Sequence, residues 1–159
     1  MVFSSLIRTL QKSPLTKELL EKLKGNNELG LKGINRLPKG LISSTLAQAN
    51  QQNILVICAT LEEAGRWTAQ LEIMGWKTVN FYPTSEASPY ETLNPESEMI
   101  WGQMQVLSNL NTPESKDNNF AIVTTEKALQ PHLPPPDIFH SYCLNLQVGM
   151  TETSKNIDK

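Results

Sequence analysis

The sequence predicts an α/β domain built on a parallel sheet with helices on both faces, and three observations carry that expectation. Short aliphatic runs, ILVICAT at 54–60, TVNFY at 78–82 and NFAIVTT at 119–125, have the composition of strands. Each is separated from the next by a segment of helical periodicity, and such alternation implies crossover connections that set the strands parallel and cover the sheet from both sides. With 159 residues, 39% of them hydrophobic and 19% charged, the chain suits one domain with a sizeable core and not a disordered polymer. The expected organisation is a helical extension over 1–29, the α/β domain over 30–148, and a polar stretch at 149–159 that is either a tail or the start of a further domain.

The elements follow in order. Residues 3–12 alternate apolar and polar side chains at helical spacing and lack the unbroken apolar run of a signal peptide or membrane span, which predicts a short helix and a cytoplasmic protein. After Pro14, the residues Leu15, Leu19, Leu20 and Leu23 share one helical face, so a helix is expected over 15–24, ended by Gly25. The stretch 25–40, rich in Gly and polar breakers, reads as a linker or short edge strand, and 39–50 as a helix. The run at 54–60 has the unbroken apolar character of a strand buried on both faces. Over 61–75, Leu61, Ala64, Trp67, Leu71 and Met74 form a helical stripe closed by Gly75. The strand at 78–82 leads through a proline-rich loop to a helix at 94–110, with Asn94 as N-cap, Pro95 at the first position and Glu96 and Glu98 in the first turn. A strand at 119–125, a short helix over EKALQ, a turn at LPPPD and a last strand at 141–148 complete the order.

Composition narrows the chemistry. A net charge of −2 and a pI of 5.7 give no overall positive field for nucleic acid or acidic membranes. Cys58 and Cys143 are too few for a disulfide framework or a Cys-only zinc site, and both sit in apolar runs that predict core packing. His132 and His140 have no Cys or acid at ligand spacing, so no metal site is expected. No nucleophile elbow surrounds Ser44 or Ser141. Glu62 and Glu63 lie where acids favour a helix start and need no catalytic explanation. The one candidate phosphate loop is RLPKGLISST at 36–45. It lacks a second glycine, Pro38 removes a backbone donor, and Lys39 is followed by Gly40 and Leu41 where Ser or Thr would hold a metal, so a structural turn before a helix is the expectation. The loop YPTSEASPYETLNPESE at 82–98 remains, with Glu86 and Tyr90 on a proline-stiffened connection at the carboxyl end of the sheet, where sites of parallel α/β domains lie. It reads either as a rigid connection or as a surface that touches a neighbouring domain or a nucleic-acid backbone, for which a negative loop is poorly suited.

The order of LPKGLISSTLAQ, ILVICATLEEAGRWTAQLE, YPTSEASPYETLNPESEMIWGQMQVLSNL and AIVTTEKALQPHLPP resembles the N-terminal region of the bacterial transcription-repair coupling factors, the Mfd family, in a cyanobacterial flavour. The likeness spans about residues 33–150, and Glu86, Pro89, Tyr90 and Pro95 form its most specific part. It implies a RecA/P-loop-like module related to the first domain of UvrB, with a degenerate phosphate loop: the UvrB lysine position falls near Gly40, where this sequence has no ammonium group. In that family the full protein displaces stalled RNA polymerase with ATP-driven translocase domains and recruits UvrA through an inserted domain. The insertion would begin near 145–159, so the resemblance implies a chain that stops as the docking domain starts.

Three functional expectations follow. The first is a non-catalytic scaffold or docking domain without a cofactor, whose partners are the parent's other domains and, through the parent, UvrA and RNA polymerase. The second is an ATP-dependent helicase domain with an irregular nucleotide site, although no apolar run ends in the acid that would hold magnesium. The third is a small nucleic-acid-binding module using Arg66, Lys77, Trp67 and Trp76.

Overall fold

The computed structural model describes residues 2–84, 97–111, 119–130, 133 and 135–143. Its regular elements are helices α1 (Val2–Gln11), α2 (Pro14–Asn26) and α3 (Arg36–Ala49), strand β1 (Ile54–Cys58), helix α4 (Leu61–Glu72), strand β2 (Thr78–Phe81), helix α5 (Ser97–Asn111), strand β3 (Phe120–Thr125), a 3-10 turn at Lys127–Leu129 and helix α6 (Pro136–Ser141). The strands form one open parallel sheet in the order β1-β3-β2. β3 is central, with Val123 opposite both Val56 and Phe81. The fold is α/β, as the alternation predicts.

Side chains alternate across the sheet, and each set meets different helices. Val56, Cys58, Val79, Phe81, Ala121 and Val123 join Ala64 and Leu71 of α4 in the main core, which also takes Met74, Trp76 and Leu41 of α3. Ile122 points the other way and packs with Tyr82, Val106, Leu107 and Leu110, so α5 covers the second face on the β2 side. Leu55 and Ile57 share that second face at the β1 edge and stay 52% and 54% exposed. The expectation of a β1 buried on both faces is therefore wrong among the described residues: only β3 has a neighbour on each side.

α1 is not separate from the domain core. It packs on α3, and Ile7 is 1% exposed within the main cluster. α2 starts where Ser13 accepts a hydrogen bond from the Thr16 amide at 3.2 Å and Pro14 takes the first position. It does not stop at Gly25. It runs to Asn26, and Asn27 takes the left-handed conformation at φ 55° while its amide bonds the Leu23 carbonyl at 2.8 Å. Of the stripe expected over 61–75, Ala64, Leu71 and Met74 are fully buried, but α4 ends at Glu72 with Ile73 as its C-cap, and Gly75, expected as the cap, turns the chain beyond it at φ 81°. The segment LPPPD is not a simple turn, since α6 begins at Pro136. Ser141 ends that helix and Tyr142 and Cys143 are not strand; the rest of the expected strand, 144–148, lies outside the described residues, as do Asn94 and Pro95. Cys58 is buried as expected, but Cys143 is exposed.

Candidate functional site

The carboxyl ends of β1, β2 and β3 gather the loops that could carry chemistry, and α3 opens beside them. Asn35 is extended at φ −69°, ψ 167°, and Arg36, Leu37 and Pro38 form the first turn of α3. Proline is tolerated there because the first amides of a helix have no partner within it. Lys39 donates its amide to the Asn35 carbonyl at 3.2 Å. Lys39, Gly40 and Leu41 are thus helical, as the reading of 39–50 expects, but the helix already begins at Arg36, where a turn before it was expected.

Gly40 is buried for a reason unrelated to phosphate. A Cβ at this position would stand 2.2 Å from Nε2 of Gln70 and 3.1 to 3.2 Å from the terminal atoms of Met74, both in the α4 region. The missing side chain lets α3 approach α4 closely. Gln70 locks the contact: its Nε2 donates to the Arg36 carbonyl at 3.0 Å, and Arg36 Nε donates to Gln70 Oε1 at 3.1 Å. One turn further, Trp76 Nε1 donates to Ser44 Oγ at 3.0 Å, and Ser44 donates to the Met74 sulfur at 3.6 Å. Ser44 is completely buried and engaged, so it is no nucleophile.

The three strand ends close on themselves. Thr60 Oγ1 accepts the Glu63 amide at 3.2 Å and caps α4, with Glu62 and Glu63 in its first turn. Glu126 donates its amide to the Cys58 carbonyl at 3.1 Å, the Thr125 hydroxyl accepts the Ala128 amide at 3.3 Å, and the Thr124 hydroxyl donates to the Tyr82 carbonyl at 3.2 Å. Desolvation, aided by the nearby Glu63 carboxylate and opposed by Arg36, pushes the Cys58 thiol up to about 11, which favours the neutral thiol at neutral pH. Burial raises the Tyr82 phenol as well. No group of three His, Cys, Asp or Glu is placed for a metal among the described residues.

The proline-rich loop begins firmly. Gln103 donates to the Pro83 carbonyl at 2.9 Å, and Gly102 leaves room for the Pro83 ring, which a Cβ would meet at 3.0 Å. The residues that carry the family likeness, Glu86, Pro89, Tyr90 and Pro95, lie outside the described residues. His132 does too. Of the groups that a nucleic-acid module would use, Arg66 is ion-paired with Glu62 on the same helix, Trp76 is buried and Trp67 is half-buried against the core.

An apolar surface went unpredicted. Besides Leu55 and Ile57, a cleft of about 450 Å3 between the end of α5 and α6 is lined by Leu107, Leu110, Leu133, Pro135, Pro136 and Phe139. Pro136 followed by Asp137 is a helix-start signal that would have located α6. No helix among the described residues is long and apolar enough to cross a membrane. Protein-family models, curated proteins and solved structures offer no match to this chain.

Proposed function

We propose that this chain is a non-catalytic scaffold domain of a transcription-repair coupling factor, a RecA/P-loop-like module whose nucleotide position has been given over to packing. The observation that carries the reading is Gly40, whose space is filled by Gln70 and Met74 and beside which the Lys39 amide is already bonded to the Asn35 carbonyl. The parallel order β1-β3-β2, with α3 opening at the carboxyl edge, suits a descendant of a nucleotide-binding fold. The strand ends are tied together by backbone and hydroxyl hydrogen bonds, which suits a structural role for this edge.

A scaffold must instead offer surface. The half-exposed Leu55 and Ile57 on an edge strand, and the apolar cleft beside α6, suit packing against a neighbouring domain of the same protein more than contact with water. In this reading the parent's ATP-driven displacement of RNA polymerase and its recruitment of UvrA are performed by other domains, and this one holds them in place within the cytoplasm. The genomic reading frame past Lys159 tests the assignment. Continuation into an interaction domain and then helicase motifs is expected; a continuation that encodes neither contradicts it.

A further inference from the structure

Helix α5 is apolar on two faces. Its inner face packs on the sheet: Val106 is buried with Tyr82 and Ile122, Gln103 donates to the Pro83 carbonyl at 2.9 Å, and Asn109 donates to Asn80 Oδ1 at 3.3 Å. Its outer face carries Ile100, Trp101 and Met104, which share one stripe at helical spacing and are 42%, 75% and 50% exposed. A helix with a single buried face places charged and polar residues on the other. This one holds no Asp, Glu, Lys, Arg or His from Met99 to Asn111.

The composition of the outer face fits contact with a like surface. Interface centres are enriched in Trp and Met and depleted of charge. A partner held by electrostatics, such as a nucleic acid, would need cations that α5 lacks. A neutral stripe can meet its own copy without like-charge repulsion. An antiparallel pair of α5 helices related by a two-fold axis at Met104 makes the stripe self-complementary. Residues equally far before and after Met104 then face each other, so Ile100 and Trp101 of one copy lie opposite Leu107 and Ser108 of the other, and the small Ser108 leaves room for the indole.

We infer that the outer face of α5 is the contact between two copies of this chain, with Trp101 as its anchor. Three apolar side chains make a patch at the low end of interface sizes: an aromatic ring contributes roughly 150–250 Å2 when fully covered, against about 800 Å2 per partner in a standard interface. The dimer is therefore weak, with a dissociation constant in the micromolar to millimolar range. The inference is independent of the scaffold reading, which rests on Gly40.

Sedimentation equilibrium of the full chain from about 10 µM to about 1 mM, the range set by that weak affinity, should show a reversible monomer–dimer equilibrium. Trp101 is exposed, so Trp101→Glu should fold normally, as circular dichroism would show, and raise the dissociation constant at least about tenfold. Cysteine pairing reads the geometry in a Cys143→Ser background, which removes the exposed native thiol. Facing residues at the axis of two packed helices have Cα atoms about 4–6 Å apart, so Met104→Cys should oxidise to a disulfide-linked dimer. Two copies of Ser108→Cys, each displaced along its helix from the axis, would hold their thiols about 12 Å apart and stay reduced. A monomer throughout that range, which would leave the face to a different protein or domain, a dimer undiminished in Trp101→Glu, or linkage at 108 as fast as at 104 overturns the inference.

Discussion

Replacing Gly40 with Ala separates a packing role from ordinary helix chemistry, because the two predict opposite signs. In an exposed helix interior, Gly→Ala stabilises by about 1 kcal/mol through propensity alone. Gly40 has helical dihedrals, so Ala meets no backbone strain there. Its methyl group would, however, stand 2.2 Å from Gln70 Nε2 and 3.1 Å from Met74 Cε. Gln70 must swing away and give up its two bonds to Arg36, each about 1 kcal/mol, and Met74, itself fully buried, must shift at the usual overpacking cost of about 1–3 kcal/mol. After the propensity gain the balance is a loss of about 2–4 kcal/mol, or roughly 4–16 °C in Tm for a domain this size. Urea unfolding followed by Trp fluorescence measures it. Adding Gln70→Ala to Gly40→Ala should cost less than the two separate losses together, since the clash is relieved. A Gly40→Ala protein more stable than the parent would refute the close α3–α4 approach.

Other consequences are as direct. Ile7→Ala should destabilise the whole domain by about 2–5 kcal/mol, as a buried core truncation does, and unfolding curves would show it as one cooperative shift; a change under ~0.5 kcal/mol would mean α1 is a mere extension. Leu55→Lys and Ile57→Lys should each leave stability within about 0.5 kcal/mol while raising solubility, and a larger loss by urea unfolding would mean that the second face of β1 is covered. At pH 8 a thiol reagent should label Cys143 promptly and Cys58 only on unfolding; rapid labelling of both contradicts the buried thiol. The folded Cys58 pKa lies above its ordinary value of 9.0, so its contribution to stability is fully present below pH 9 and is lost as the pH rises from there toward about 11. A Cys58→Ala variant should lose that alkaline slope.

The parts of the fold legible in the sequence were those where local pattern and tertiary burial agree. The stripe of Ala64, Leu71 and Met74 and the run Phe120–Thr125 each carry one period and are buried accordingly. The misreadings trace to punctuation. Pro38 delayed the expected start of α3 to residue 39, although proline in a first turn costs nothing, and Gly25 was taken as a stop although a glycine on an exposed helix costs only about 1 kcal/mol against Ala. β1 shows a deeper limit: ILVIC looks the same whether its second face is buried by this chain or by another, because composition records the need for cover and not its source. That Gly40 serves α4 could not be read, since the partner atoms belong to Gln70 and Met74, thirty or more residues away.

Calorimetric titration of the purified chain with MgATP tests the central claim most directly. Without a phosphate cradle at Lys39, Gly40 and Leu41, no saturable heat is expected at millimolar nucleotide, and Lys39→Ala should behave as the parent does. Micromolar binding that disappears in Lys39→Ala would contradict the account.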